Sequence, residues 1–250
     1  MGYKRGMPLI DTSTFFRLAE SMVFYVLWHI AQLYYIVFMH VKYEGKEKLR
    51  NYKGNAVLVS NHTTFLDPVL ISGAIMPQRT WHTLLEKTVE TPFLGTFIRL
   101  LGGVPLPPGG AGIEKLITAS PDAFRYKRFL HFYPEGECYV YNQEIAPFKT
   151  GAFYTAAKLK VPVFPVVTIF YKGKSLKLPM VRSVVLDPVD PKDYITHKED
   201  GEINLNSVKF FAQEVRRIMQ VEIEKRHNKD QNAGTNSYFK GKMPRIIGIN

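Results

Sequence analysis

The pattern of apolar and polar positions opens on one long water-averse run. Residues 21–41, SMVFYVLWHIAQLYYIVFMHV, contain no Asp, Glu, Lys or Arg. A run of about 20 residues is near the length that spans a hydrocarbon core as a helix. It also carries His29, Gln32 and His40, and it is crowded with Tyr25, Trp28, Tyr34 and Tyr35. Aromatic residues of this kind favour the lipid–water boundary. Lys4, Arg5 and Arg17 precede the run, and Lys42, Lys46, Lys48 and Arg50 follow it. One reading is a membrane-inserted or membrane-lying helix or helical pair. The other is a buried core helix running into a first strand at YIVFMHVKYEG. No A-x-A-like cleavage site follows, so the segment does not read as a secretory signal.

Beyond residue 50 the pattern alternates between strand and helix. Ala56–Val59 reads as a buried parallel strand, and Pro68 opens the helical segment PVLISGAIM. Trp81–Leu85 reads as a second strand. Glu90–Leu101 reads as a helix starting near Pro92. The glycine- and proline-dense stretch GGVPLPPGGAG, 102–112, reads as loop. Glu114–Thr118 resumes helix, and Ser120-Pro121 starts another. RFLHFYPEG reads as a strand ending in a Pro-Glu-Gly turn, Lys149–Leu159 as a helix, and VPVFPVVTIF and SVVLDPV as strands. In 206–227, Val208, Phe211, Val215, Ile218, Met219 and Ile223 recur at spacings of three and four, the mark of an amphipathic helix. The tail after Asn228 is polar and ends in MPRIIGIN. The alternation predicts an α/β fold with a mostly parallel central sheet flanked by helices. Residues 1–45 are expected to form an N-terminal membrane-associating helical segment, and 46–250 one α/β domain.

Composition narrows the possibilities. With 46% hydrophobic and 22% charged residues among 250, the chain can bury a core and is not a disordered protein. A single cysteine, Cys138, excludes an intramolecular disulfide and a cysteine-rich metal site. The formal net charge of +11 points to an anionic partner. No nucleic-acid recognition motif accompanies the basic residues, so nucleic acid is not expected.

The candidate chemistry starts at SNHTTFLDP, residues 60–68. His62 and Asp67 are five apart, which on a straight helix would leave their side chains about 140° apart. Pro68 pushes the residue before it out of the helical region. Asp67 is therefore expected at an N-cap, with Pro68 at the first helical position. His62 would sit in the turn leaving the carboxyl end of a strand, where open parallel sheets bind ligands. From these residues alone two readings stand: a capped turn, or a general base with its orienting acid. A second polar turn, FYPEGE, contains Glu135 and Gly136, the latter able to let backbone approach a ligand.

Taken together and in order, these stretches resemble the glycerolipid acyltransferases, whose best-known members are the 1-acylglycerol-3-phosphate (lysophosphatidic acid) acyltransferases. The resemblance covers roughly residues 50–185. The family pattern N-H-x-x-x-x-D is matched by Asn61, His62 and Asp67. K-x-x-x-x-P-x-x-G is matched by Lys87, Pro92 and Gly95. F-P-E-G is matched by Pro134, Glu135 and Gly136, with Tyr133 in place of Phe. V-P-[IV]-x-P-V is matched by Val161, Pro162, Val163, Pro165 and Val166. The resemblance implies that His62 takes the proton of an acceptor hydroxyl while Asp67 supports it. The oxygen then attacks the thioester carbonyl of acyl-CoA or of an acyl carrier protein. Neither cofactor nor metal is implied, and no acyl-enzyme on Cys138. Backbone N–H groups near His62 or Gly136 are candidate oxyanion donors. Asn61, Glu135 and Gly136 are expected near the acceptor.

Two departures bear on the acceptor. Pro108 stands where the family pattern G-x-[IV]-x-[IV]-x-R has arginine, and Glu137-Cys138-Tyr139 replaces T-R-S after the Pro-Glu-Gly turn. Both arginines suited to bidentate phosphate contact are missing. Lys87, Arg99 and Lys149 are the candidate substitutes. The expected reaction is acylation of 1-acyl-glycerol-3-phosphate to phosphatidic acid at the cytoplasmic face of a membrane, by a monotopic protein. The alternatives are an acceptor without a phosphomonoester, such as a lyso-aminolipid or lyso-glycolipid, or a non-catalytic membrane-binding protein of this fold.

Overall fold

Seven strands form one sheet in the order β1-β7-β6-β2-β5-β3-β4. The computed structural model describes residues 7–90, 93–171 and 178–229. The strands are β1 (Lys42–Glu44), β2 (Ala56–Ser60), β3 (Thr80–Leu85), β4 (Gly103–Leu106), β5 (Phe129–Phe132), β6 (Val163–Tyr171) and β7 (Met180–Val185). Every neighbouring pair is parallel except β6 and β7. The helices are α1 (Thr14–Met39), α2 (Lys46–Asn51), α3 (Asp67–Ile75), α4 (Glu86–Glu90), α5 (Leu94–Leu100), α6 (Gly110–Phe124), α7 (Gly151–Leu159) and α8 (Leu205–Lys229).

The central strands read as nearly continuous apolar runs because both their faces are covered. Along β2, Val57 and Val59 join the core under α6, α7 and α8, which contribute Leu116, Phe153 and Phe211. The alternating residues Ala56 and Leu58 face the other way, against Leu49 of α2 and Ile71 and Ile75 of α3. Period-two alternation thus feeds two cores from one strand.

Three segments differ from the expected pattern. The stretch 102–112 is not all loop: β4 pairs with β3, Val104 opposite Thr83 and Pro105 opposite Leu84. As an edge strand it tolerates a proline that a central strand would not. The two short helices expected around 114–126 are one, α6, which runs through Pro121. Within it Ser120 Oγ donates to the Leu116 carbonyl at 2.6 Å. The helix expected over 90–101 is α5, which starts at Leu94, with α4 ending before it at Glu90; Pro92 itself lies outside the described residues, as do the ends of the chain at 1–6 and 230–250.

The N-terminal run forms α1, which packs on α3, α5 and β7. Its buried face carries Glu20, Phe24, Gln32, Tyr35 and Met39. Glu20 pairs with Lys127 and, at 3.1 Å, with Arg79, while Gln32 bonds the Val69 carbonyl. Lys127 Nζ also sits 3.6 Å above the Trp81 ring. Burial pulls the Lys127 ammonium down to about 8 against the opposing pull of Glu20. The outer face bears Phe15, Leu18, Met22, Val26, Ile30 and Leu33, all exposed. The run thus docks on the domain through one face and leaves an apolar stripe exposed on the other. The division at 45/46 does not hold as drawn, because β1 lies before it and pairs with β7.

Candidate active site

β2 and β5 are neighbours, with Val59 opposite Phe132. Their carboxyl ends release the two polar turns side by side. Beyond β2 the Asn61 side chain prolongs the ladder: its amide donates to the Thr168 carbonyl at 2.9 Å and accepts from the Thr168 N–H at 2.8 Å. Both ends of this buried amide are thus committed to β6, and Asn61 fixes where the chain leaves the sheet.

His62 follows, and its Nδ1 lies 2.8 Å from Asp67 Oδ2. Asp67 is the first residue of α3, with Leu66 in the cap position, so the helix starts one residue earlier than expected. Its carboxylate turns back instead of capping forward. Oδ2 accepts from the N–H groups of Thr63 and Thr64 at 2.5 and 2.9 Å. Oδ1 accepts from their hydroxyls at 3.1 and 2.8 Å. A carboxylate only accepts, so the shared proton sits on His62 Nδ1 and Nε2 is left as the basic nitrogen. The Asp67 side chain is 1% exposed and that of His62 22%, so the acid is locked while the base meets solvent.

Glu135 ties down the main chain at His62. Its Oε1 accepts the main-chain N–H of His62 at 2.8 Å, and its Oε2 that of Ala146 at 2.9 Å. Burial pushes this carboxyl above its usual range, opposed by those two backbone bonds. The carboxylate expected at the acceptor is thus a buried bridge between two loops. Tyr133 stacks on the His62 ring, centroids 3.9 Å apart and planes 18° off parallel. Its buried hydroxyl has no hydrogen-bond partner among the described residues.

A buried histidine pair lies next to this stack. His131 meets the Tyr133 ring edge-on at 4.5 Å and has Nε2 2.8 Å from Ser60 Oγ and Nδ1 3.0 Å from His82 Nδ1. Burial lowers His82 to about 3, helped by Lys127 and Arg79, and holds His131 well below its ordinary value, helped by His82 and His62. Neither the pair nor the threonine cradle was expected. A histidine inside the apolar stretch FLHFY is the one visible sign of the pair. Two hydroxyl residues three and four positions before an aspartate are the sign of the cradle.

The remaining candidates divide. Gly136 has φ +73°, and the Lys149 side chain packs where a Cβ would stand. The Lys149 N–H bonds the Pro134 carbonyl at 2.8 Å. Lys149 is thus brought to the Pro-Glu-Gly turn. Lys87 lies exposed on α4, and Arg99 is buried on α5 with its guanidinium 5.4 Å from the Phe16 ring, on the α1 side. Of the backbone N–H groups around His62 and Gly136, the region expected to hold oxyanion donors, those of His62 and Gly136 themselves bond Glu135 Oε1 and the Tyr133 carbonyl. The segment after β5 doubles back, Tyr139 and Tyr141 bonding the carbonyls of His62 and Thr63. That return brings Cys138 to the pair: its sulfur and one donor atom each of His62 and Asp67 lie within 4.8 Å of one another. Burial, with the charges of Asp67 and Glu135, pushes the Cys138 thiol up to about 12, which makes it a poor nucleophile.

Fold and site together define a class: α/β proteins that present a solvent-facing histidine, oriented by a buried aspartate, at the carboxyl edge of a mostly parallel sheet. The Acyltransferase family model matches residues 40–169, more than half the chain, and the chain belongs to that family. It is similar to 1-acyl-sn-glycerol-3-phosphate acyltransferase of Saccharomyces cerevisiae, 32% identical over 153 residues, 60% of this chain and 49% of that one. It is similar also to the protein of the same name from Salmonella typhimurium, 30% identical over 148 residues, 56% of this chain and 59% of that one. The matches span about half to three-fifths of these relatives' length. Among solved structures, the 1-acyl-sn-glycerophosphate (LPA) acyltransferase PlsC from Thermotoga maritima shares the fold, with a TM-score of 0.55 and 20% identity over 84% of this chain and 79% of that one.

Proposed function

We propose that this chain transfers a fatty acyl group from an acyl thioester, acyl-CoA or acyl carrier protein, to the free hydroxyl of 1-acyl-glycerol-3-phosphate, giving phosphatidic acid. The observation that carries the reading is the 2.8 Å bond between His62 Nδ1 and Asp67 Oδ2, which leaves Nε2 of a part-exposed imidazole as the base. Nε2 takes the acceptor's hydroxyl proton as its oxygen attacks the thioester carbonyl. The tetrahedral intermediate collapses, the C–S bond breaks, and the imidazolium returns the proton to the leaving thiolate. Asp67 holds the tautomer and offsets the imidazolium charge. The relatives' names supply the acceptor.

The exposed stripe of α1 supports a monotopic protein lying on a membrane; the cytoplasmic face is proposed because acyl-CoA and carrier protein are both at hand there. The formal charge of +11 suits anionic lipid, CoA phosphates and an acidic carrier alike. His62→Ala is expected to abolish transfer from a labelled acyl donor with circular dichroism unchanged; undiminished turnover would overturn the reading.

A second reading, an acceptor without a phosphomonoester, is favoured by one observation: beside the dyad, where the family pattern has arginine, stands the thiol of Cys138. Lys149 against Gly136 is then the residue that decides. If the acceptor carries a phosphate, Lys149→Ala raises its KM with kcat little changed. An acceptor screen scored by mass spectrometry separates the two.

A further inference from the structure

We propose that His62, Asp67 and Cys138 form an inhibitory site for a thiophilic divalent cation of the Zn2+ type, which binds by capturing the base. The word inhibitory rests on the function proposed above; the binding does not.

The three donor atoms already lie within 4.8 Å of one another. Metal–ligand bonds of about 2.0–2.3 Å in a tetrahedron set neighbouring donors roughly 3.3–3.8 Å apart. About an ångström of closure is therefore required. Asp67 is pinned by Thr63 and Thr64, so His62 and Cys138, both partly exposed, supply the movement. Carboxylate, thiolate and neutral imidazole balance the dication. The Sγ–metal bond forms as the thiol proton passes to solvent. A metal on Nε2 occupies the basic lone pair directly. A metal on Nδ1 sends that nitrogen's proton to Nε2 or to solvent, and the bond to Asp67 is lost. Both routes disable the base.

Selectivity follows from the ligands. Sulfur and imidazole favour Zn2+ and Cd2+, while Mg2+ and Ca2+ require oxygen shells that this site lacks. The Asp67 and Glu135 carboxylates that face Cys138 add an attractive field. An arginine at position 138, as in the family pattern, would put a fixed cation there instead. The sensitivity thus belongs to this chain's own residue, one that acyl transfer does not use.

The test is made on the full chain in detergent micelles. Titration with CoCl2 should give a thiolate-to-cobalt charge-transfer band, assigned without ambiguity because the chain has one cysteine. Cys138→Ser should lose the band, and His62→Ala should weaken Co2+ binding. In the transfer assay ZnCl2 should inhibit, EDTA should restore activity, and MgCl2 should do nothing. Cys138→Ser should keep basal activity and tolerate at least the about 10- to 100-fold more zinc that loss of even an outer-shell partner commands. A band that survives in Cys138→Ser, or no band at millimolar CoCl2, overturns the site. If the chain transfers no acyl group, the cobalt band still decides it.

Discussion

The main-chain N–H of His62 donates to Oε1 of Glu135 at 2.8 Å, so the turn after β5 holds the turn after β2. The same carboxylate takes the Ala146 N–H on its other oxygen. Glu135→Ala would leave two buried donors unpaired, at about 1–3 kcal/mol each. The expected outcome is a lower melting temperature and a lower kcat, with the acceptor KM nearly unchanged, because the base is displaced and no acceptor contact is lost. Glu135→Gln keeps one acceptor and should fall between. A rise in KM alone, at unchanged stability, would instead make Glu135 an acceptor ligand.

Tyr133 replaces the phenylalanine of the family pattern, and its buried hydroxyl has no partner among the described residues. Burying an unpaired hydroxyl costs roughly 1–3 kcal/mol. Tyr133→Phe should therefore stabilise the fold by about 1 kcal/mol, some 2–4 °C for a chain of this size. The stack on His62 stays, so kcat should hold. Differential scanning calorimetry and steady-state kinetics check both; a destabilised Phe variant would mean that the hydroxyl has a partner in solution.

The dyad was legible because Pro68 forces a bend in a short interval and because three further stretches follow in order. Its cradle was not: Thr63 and Thr64 look like ordinary turn residues until Asp67 is seen to fold back on them. The α/β alternation was legible from apolar runs. β4 was hidden because glycine and proline outweigh a short ladder that only an edge position permits. The cationic candidates were indistinguishable by type. Only packing brings Lys149 to Gly136 and sends Arg99 toward Phe16. The helical length of α1 was legible, but its docking rests on Glu20 meeting Lys127, 107 positions along the chain.

The buried pair His82–His131 makes the fold acid-sensitive. Burial, then Lys127 and Arg79, lowers His82 to about 3, while the unfolded chain titrates near 6.5. His131 is displaced the same way and shares a hydrogen bond with His82, so the two titrate as a pair. Between these limits the unfolded state binds more protons than the native one. Stability is full above about pH 6.5 and drains as the pH falls, by about 1.4 kcal/mol per pH unit for each histidine involved. Urea midpoints should drop steadily from pH 7.5 to pH 5, and His82→Gln should flatten the slope. An unchanged midpoint across that interval would show that the pair is solvated or protonated in the native state.

The two faces of α1 separate anchoring from folding. Leu18, Ile30 and Leu33 point outward on the exposed stripe. Glu20, Gln32 and Tyr35 point inward, and Tyr35 reaches Thr64 of the Asp67 cradle at 3.5 Å. Changing Leu18, Ile30 and Leu33 to serine should leave the melting temperature in place. At about 1.5 kcal/mol per side chain it should lower partitioning into liposomes by roughly 10³-fold. Glu20→Ala should do the reverse, leaving lipid binding intact while stranding the buried charge of Lys127 and the half-buried one of Arg79, at a cost of about 3–5 kcal/mol. Deleting residues 1–40 does both at once, so the product should aggregate and not simply leave the membrane. Flotation of the triple serine variant with anionic liposomes is the deciding measurement. Flotation that persists, and that salt abolishes, would move the anchor from α1 to the basic surface of the domain.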